Sequence, residues 1–212
     1  LNQVKDFVAD RLDRPFDDML KAEVKFAFIN EISLLMRRSI DANGLDKTYL
    51  ATFNVELQLV TETDDTTFEG EHNILRSINK IPTPIRYKTP FPFVSVGTAT
   101  NDAVFGYSPA HESGFIKELP YIGQCTTYDY INQYLYIRGN NKYKKVRVTA
   151  PYANFSLIVD NSVGGNGIAY ADDMELPYPE DLINAAILSL LQGVFSNLDA
   201  KDKIEATHLD NQ

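Results

Sequence analysis

Apolar side chains recur at helical spacing near both ends of the chain. In residues 17–42 the repeat predicts one long amphipathic helix, whose buried stripe consists of Val24, Phe28, Ile32, Leu34 and Leu35. Asp17 or Asp18 would cap its first turn, and Asn43 with Gly44 would end it. A shorter helix is predicted over residues 2–11, with Val4, Phe7, Val8 and Leu12 on one side.

A second long helix is predicted over residues 176–198. Pro177 and Pro179 suit its first turn, where a missing N–H group costs nothing, and Glu180 and Asp181 follow at the positive end of the helix dipole. Its apolar positions are Leu182, Ile183, Ala186, Ile187, Leu190, Leu191, Val194 and Phe195. This wide stripe fits either a core helix of a monomer or a helix with neighbours on several sides. Gly193 costs roughly 1 kcal/mol against alanine, which close packing of another backbone would justify.

The region between these helices has the patterns of strands and turns. Residues 51–59 alternate apolar and polar side chains, which predicts a strand with one buried face. The best hairpin is predicted from residues 134–138 and 142–150, turning through 139–141, and another from 94–98 and 103–107. Shorter strands are expected at 74–78, 115–119 and 155–159.

Helix, many strands, helix is the order of an α+β protein. We expect the N- and C-terminal helices to pack together, with a large antiparallel β-rich insertion between them. Residues 1–212 would form a single domain, with a helical part at 1–46 and 176–212 and the insertion at 47–175.

The segment at residues 81–93, IPTPIRYKTPFPF, combines four prolines with apolar side chains. Prolines exclude a central strand, because they cannot donate to the ladder, and they keep the segment extended. It is either a loop packed on its own domain or an arm that reaches a neighbouring chain. Its candidate contact residues are Ile81, Ile85, Tyr87, Phe91 and Phe93.

Composition and charge argue against several classes of function. A length of 212 residues suffices for a real core, and the net charge of −9 argues against a surface that grips nucleic acid. The single cysteine, Cys125, excludes an internal disulfide and a cysteine-based zinc site. No apolar run approaches the length of a membrane span and no signal-peptide pattern is visible, so we expect no membrane partner.

No residue pattern predicts catalysis, a cofactor or a metal site. GYSPA at residues 106–110 is close to a nucleophile elbow around Ser108, but no helical pattern follows it. The glycines at 164–167 lack the lysine of a phosphate loop, and solvated loop acids explain Asp64, Asp65, Asp172, Asp173 and Glu175 better than a cation site does. The histidines stand far apart, at His72, His111 and His208.

A cluster of cations lies in the second arm of the best predicted hairpin, namely Lys142, Lys144, Lys145 and Arg147. With Tyr134, Tyr136 and Tyr143 nearby, it could contact a nucleic acid. In a chain of charge −9, contact with an acidic neighbouring copy is the more economical explanation.

Three stretches together resemble the head-to-tail connector proteins of tailed bacteriophages. They are the start of the last helix at residues 177–181, the sequence YLYIRGNNKYKKVRVTAPY at 134–152, and INEISLLMRRSI at 29–40. The chain looks most like the adaptor or ring proteins of short-tailed phages, including the crAss-like group. The resemblance covers most of the chain in element order, although each motif by itself has low specificity.

The resemblance implies a structural, non-enzymatic subunit of a ring beneath the portal, in virions assembled from proteins made in the host cytoplasm. Its helices would surround a DNA channel without sequence-specific binding, and its partners would be copies of itself, the portal protein and tail proteins. No cofactor is implied. The candidate subunit-interface residues are Ile81, Ile85, Tyr87, Phe91, Phe93, Leu182, Ile187, Leu191 and Phe195.

Two other functions compete with this one. A β-rich carbohydrate- or protein-binding module would use exposed Tyr and Phe as stacking platforms, although the chain lacks tryptophan. A hydrolase would depend on Ser108.

Overall fold

The protein was analysed as a computed structural model that describes residues 2–11, 18–60, 74–86, 91–109, 125–139, 142–152, 154, 157–160, 168–169 and 178–194. The chain divides into two compact units. The helical unit comprises residues 1–49 and 171–212, and the strand-rich unit comprises residues 50–170. The protein is α+β, as predicted; the single domain and the placement of its helices around the insertion stay predictions.

The helical unit contains three α-helices among the residues described. They are α1 (Asn2–Arg11), α2 (Asp18–Asn43) and α3 (Glu180–Ser189), with a 3₁₀ turn at Lys47–Tyr49. The prediction of α2 is confirmed nearly to the residue. Gly44 ends it with a φ of 86°, and the Gly44 N–H donates to Ile40 O at 2.9 Å. This positive φ is the reason that a glycine follows the helix.

The buried side of α2 follows a ridge of every fourth residue, and it consists of Leu20, Val24, Phe28, Ile32, Met36 and Ile40. Each step of four residues turns by about 40° around an α-helix, so the ridge winds slowly across the surface. The expectation that Leu34 belongs to the buried stripe was wrong, because Leu34 lies off this ridge and is 46% exposed. Met36 takes its place in the core.

Polar contacts connect the three helices. Ser189 Oγ of α3 donates to Glu31 Oε1 of α2 at 2.7 Å. Lys21 Nζ of α2 lies 2.8 Å from Asp6 Oδ1 of α1. The hydrogen bond from Lys21 lowers the pKa of Asp6, because it favours the charged carboxylate.

The last helix is shorter than predicted in its described part. It begins after Pro179, whose carbonyl accepts from the N–H groups of Leu182 and Ile183. Glu180 and Asp181 occupy the first turn, as the sequence indicated. The α-helix ends at Ser189 and continues as a π-helical turn at Leu190–Val194. The predicted positions 176–177 and 195–198 lie outside the described residues.

The strand-rich unit contains a seven-stranded sheet with the order β3-β7-β1-β2-β6-β5-β4. Its strands are β1 (Leu50–Leu59), β2 (Leu75–Ser77), β3 (Ser95–Thr98), β4 (Gly106–Tyr107), β5 (Thr127–Ile131), β6 (Tyr134–Arg138) and β7 (Lys145–Pro151). A separate pair joins β8 (Val159–Asp160) to β9 (Ile168–Ala169). The sheet is mixed rather than antiparallel throughout, because β4 and β5 run parallel.

The two edges of the sheet nearly close on each other. Strand β3 is one edge, and the chain just before β4 returns to it through a bridge between Gly97 and Val104. Here the Phe105 N–H donates to Val96 O at 2.7 Å. The hairpin predicted from 94–98 and 103–107 is therefore only this short contact, since β3 pairs with β7 and β4 with β5.

The predicted hairpin between residues 134–138 and 142–150 was wrong. Strand β6 pairs with β5 and β2, whereas β7 pairs with β1 and β3. The real hairpin joins β5 to β6 through Asn132 and Gln133, whose φ values are 52° and 69°. Two positive φ values define the type I′ turn that fits the twist of paired strands. The turn was missed because its second position holds glutamine instead of glycine.

One face of the sheet forms the core of the strand-rich unit. The alternation in β1 is confirmed, with Ala51, Phe53, Val55 and Leu57 buried, whereas Leu59 is 51% exposed. Facing strands complete the core with Val96, Leu135, Ile137, Val146, Val148 and Ala150. The strand predicted at 74–78 is β2, the one at 155–159 is described only as the short β8, and the one at 115–119 lies outside the described residues.

Candidate subunit interface

Helix α2 carries a second apolar stripe on its exposed side. Met19, Phe26 and Leu34 are 77%, 70% and 46% exposed, and intervals of seven and eight residues place them along one helix face. We call these three residues the apolar stripe. Sequence reasoning missed it, although the signal was present: Met19 and Phe26 do not fit the buried repeat. An apolar row on a helix surface is typical of a contact with another chain.

The predicted interface residues on the last helix are placed differently from one another. Leu182 is buried, Ile187 and Leu191 are half-buried, and Phe195 lies outside the described residues. Leu188, which was not singled out, is 56% exposed. No heavy atom lies within 4 Å of a Cβ built on Gly193, so close backbone packing against this glycine is not found inside the described chain.

The described part of the proline-rich segment packs on its own unit. Ile81, Ile85 and Phe93 are each no more than 3% exposed. The Ile81 N–H donates to Gln133 O at 2.7 Å, and the Ile85 N–H donates to Pro151 O at 2.8 Å. These contacts favour a loop packed on its own domain over a free arm. Tyr87 lies outside the described residues.

Phe91 is the exposed exception in this segment, at 48%. Its ring meets the edge of Tyr107 at 5.6 Å between centroids, and Tyr107 lies 5.4 Å from Tyr128. Phe93 continues the row, 6.1 Å from Tyr128. Burial raises the pKa of Tyr128, because it disfavours the charged phenolate. Phe91 is therefore the solvent-facing end of a row of aromatic rings.

The polar face of the sheet gathers cations from several strands. Arg147 and Lys145 lie two residues apart on β7, and Lys145 Nζ is 3.3 Å from Glu56 Oε1 of β1. Arg76 of β2 stacks on the Tyr134 ring at 4.9 Å, and Lys80 approaches the same ring at 5.9 Å. We call Arg76, Lys80, Lys145 and Arg147 the basic stripe.

The sequence predicted only half of the basic stripe. It indicated Lys145 and Arg147, but Arg76 and Lys80 come from a distant part of the chain and could be added only by strand pairing. The other two tyrosines expected beside the cluster are placed differently from Tyr134. Tyr136 is directly opposite Arg76 in the sheet but is only 2% exposed, and Tyr143 packs against Phe105 at 5.2 Å. Tyr134 is the tyrosine that contacts the cations.

The near-match to a nucleophile elbow has a structural role. The Ser108 side chain is fully buried, so a substrate in solution would not reach it. The Ser108 N–H donates to Tyr128 O at 2.9 Å, and Ser108 O accepts from Arg138 Nη1 at 3.3 Å. The three histidines, the glycines at 164–167 and the loop acids at 64–65 and 172–175 lie outside the described residues.

Two further observations bear on the class of protein. Within the described ranges, no group of three or more His, Cys, Asp or Glu side chains is placed to hold a metal ion. Over the same residues, no helix is both long enough and apolar enough to cross a membrane.

The described chain is α+β, and it exposes an apolar helix face and a sheet face that carries several cations. Residues 7–206 match the family described as phage tail ring protein 2, CrAss ring 2, and the chain belongs to this family. The resemblance to ring proteins of crAss-like phages is thereby confirmed, and the protein is a structural component of a phage virion. No curated protein matches the chain.

Proposed function

We propose that this chain is a non-enzymatic subunit of a closed ring in the head-to-tail connector, beneath the portal. Its helices surround the DNA channel, and its other surfaces dock the portal protein and tail proteins. The observation that carries the proposal is the apolar stripe of Met19, Phe26 and Leu34, exposed on a helix of a ring-family protein. A ring of identical subunits needs such a surface, because each copy must bury part of itself against the next.

The apolar stripe can contribute to this contact. Fully burying one Phe, Leu or Met side chain contributes about 1.5–3 kcal/mol. Met19 and Phe26 are at least 70% exposed in the single chain, so most of that contribution is still available. A contact made once by every subunit is repeated around the ring, so a moderate affinity per interface gives a stable assembly.

The distribution of charge supports helices that line a DNA channel. The helical unit has 18 acidic and 10 basic residues, a net charge of −8, whereas the strand-rich unit has 11 and 10, a net charge of −1. Most of the chain's charge of −9 therefore belongs to the helices. A negative wall repels phosphates, so DNA passes without adhering to it.

The first experiment replaces Phe26 with aspartate and measures assembly by native mass spectrometry. We expect the wild-type chain to give a closed multiple of the 23.9 kDa subunit, and Phe26→Asp to remain monomeric with an unchanged melting temperature. Asn30→Asp is the matched control, because Asn30 is also exposed on α2, one turn further along, and the substitution adds the same charge without removing an apolar side chain. Assembly of Phe26→Asp at wild-type concentrations would exclude the apolar stripe as the ring contact.

Position in the virion needs a separate measurement. Cryo-electron microscopy of phage particles would show a ring of this chain beneath the portal, with its helices on the inner surface. Density for the chain at the outer surface or at the distal end of the tail would contradict the connector position. Tight binding of the assembled ring to duplex DNA at physiological salt would contradict a non-adhesive channel.

A further inference from the structure

The exposed side of α2 is regularly spaced along most of the helix. Further exposed positions lie between and beyond the residues of the apolar stripe. Together they are Met19, Glu23, Phe26, Asn30, Leu34, Arg37 and Asp41, and we call them the α2 seam. Successive members are three or four residues apart, which keeps them on one side of an α-helix. This is the spacing by which two helices pack along their length.

The α2 seam is symmetric about its centre, Asn30. Phe26 and Leu34 lie four residues to either side of this centre. Glu23 and Arg37 lie seven residues to either side of it. A two-fold axis at Asn30 would therefore bring Phe26 of one copy against Leu34 of another. It would also bring Glu23 against Arg37, and each contact would occur twice, because a two-fold interface pairs residue i with j and j with i.

The side chains that this symmetry pairs are complementary in kind. The inner pair is apolar, and Phe26 and Leu34 are 70% and 46% exposed, so both have surface left to bury. The outer pair, Glu23 and Arg37, has opposite charges on two exposed side chains. Antiparallel helices also place the positive end of one dipole beside the negative end of the other. Parallel pairing would instead bring every charge against its own copy.

We propose that free copies of this chain pair antiparallel through the α2 seam, with a two-fold axis at Asn30. The partner is a second copy, because the seam matches itself at its apolar pair and at its charged pair. An asparagine within a helix seam fixes the register of the two helices, and here the two Asn30 amides meet at the axis. Met19 and Asp41, at the ends of the seam, add no complementary pair, so the central positions carry the contact.

This pairing goes beyond the proposed ring function. Neighbours in a ring of more than two copies meet through two different patches, whereas a two-fold contact uses the same patch twice. The apolar stripe therefore cannot make both contacts at once. The pair is the form in which free subunits cover the stripe, and it separates before the ring closes. Only this precursor role rests on the proposed function; the pairing itself does not.

Cysteine cross-linking of the full-length chain tests the pairing and its register. Cys125→Ser removes the only natural thiol, so that Asn30→Cys or Arg38→Cys then supplies a single one. At a two-fold axis residue 30 faces its own copy, so a short bis-maleimide should join two Asn30→Cys chains. Arg38 is the matched control, because it is exposed on the same helix but lies eight residues from the axis. Its two copies are then about 24 Å apart, beyond the reach of the reagent.

Charge reversal tests the outer pair. Glu23→Arg alone and Arg37→Glu alone each turn both outer contacts into like-charge contacts. We expect the dissociation constant of the pair to rise about tenfold in each variant, measured by analytical ultracentrifugation. An equimolar mixture of the two variants should form the mixed dimer in native mass spectra, because each outer contact again joins opposite charges.

The matched control for charge is Arg147→Glu, which makes the same change at an exposed position of the strand-rich unit. It should pair as the wild type does. Thermal melts verify that every variant folds.

Three results would overturn the inference. They are no cross-link at position 30, equal cross-linking at positions 30 and 38, and a wild-type dissociation constant in both charge variants. The second result would indicate parallel pairing. Oligomers without a cross-link at position 30 would assign the stripe to a contact between two different surfaces.

Asn30→Asp distinguishes a failure of this inference from a failure of the ring function. It places two carboxylates together at the axis, so it should weaken the pair. In a ring, residue 30 does not meet its own copy, so the same variant should still form rings. Pairs without rings would contradict the ring function alone, and rings without pairs would contradict this inference alone.

Discussion

Arg138 Nη1 lies 3.6 Å from Asp129 Oδ2, and both side chains are less than 5% exposed inside the strand-rich unit. The pair spans β6 and β5, and Arg138 Nη1 also donates to Ser108 O in the segment after β4. Asp129 Oδ1 in turn accepts from the N–H of Tyr130 at 2.7 Å. These contacts connect the two strands to the segment that follows β4.

Removing one member of this pair should be costly. Asp129→Asn keeps the shape but leaves the Arg138 charge buried without its carboxylate, and losing one partner of a buried ion pair costs about 3–5 kcal/mol. We expect the urea midpoint of unfolding to fall accordingly. The double variant Asp129→Asn with Arg138→Met should recover most of the loss, because no buried charge remains. Additive losses in the double variant would show that the pair is not coupled.

Closure of the sheet should depend on Gly97. A Cβ at this position would overlap the Ala103 carbonyl, which accepts from the Thr98 N–H. Gly97→Ala should therefore lower the free energy of unfolding by about 1–3 kcal/mol, a typical cost of overpacking. Hydrogen exchange should also accelerate at the Phe105 N–H, which donates across the closing contact.

Gly106→Ala is the matched control, since no heavy atom lies within 4 Å of a Cβ built there. Its stability should stay within about 0.5 kcal/mol of the wild type. Equal effects at Gly97 and Gly106 would mean that closure is not the cause.

The turn between β5 and β6 should be improved by glycine. Gln133 has a φ of 69°, a left-handed conformation that costs roughly 1–2 kcal/mol for residues other than glycine. Part of the gain is offset by the flexibility of glycine in the unfolded chain, so Gln133→Gly should stabilise by about 0.5 kcal/mol. Gln133→Val should destabilise, because β-branched side chains fit this conformation poorly. Chemical denaturation of both variants measures the difference, and a more stable valine variant would be inconsistent with the type I′ turn.

The two phenylalanines of the proline-rich segment should behave differently. Phe93 is 3% exposed and contacts the Tyr130 ring at 4.9 Å, so Phe93→Ala should cost about 3–5 kcal/mol of stability. Phe91 is 48% exposed, so Phe91→Ala should cost much less in the monomer. If Phe91 belongs to a subunit interface, as the sequence predicted, Phe91→Asp should weaken assembly without unfolding the chain. Unimpaired assembly would remove Phe91 from the interface.

Local patterns in the sequence predicted those helices and strands whose bounds and buried faces are set by neighbouring residues. The bounds of α2 follow from its apolar repeat and from Gly44, and the buried face of β1 follows from strict alternation. The start of α3 after Pro179 is likewise set by neighbouring residues. Such features depend on one helix period, one strand period or one cap, all of which are visible within a few residues.

Strand partners could not be predicted in the same way. Tyr134–Arg138 and Lys145–Pro151 are consecutive strands with a glycine between them, yet they pair with other strands. Pairing depends on which faces can be buried together across the whole sheet, and a short alternating strand fits several partners equally well. The basic stripe could not be predicted from the sequence for the same reason. Arg76 and Arg147 lie on the same face only because β2 and β7 both pair with β1.

The sequence by itself determined the α+β class, the long second helix and the membership in a ring-protein family, because periodicity and motif are properties of the chain. The tertiary structure alone decided that Ile81, Ile85 and Phe93 are buried while Met19 and Phe26 are exposed. An apolar side chain has the same hydrophobicity at both kinds of position. Whether it stabilises the fold or is available to a neighbour depends on which other surfaces the chain brings against it, and that is a property of packing.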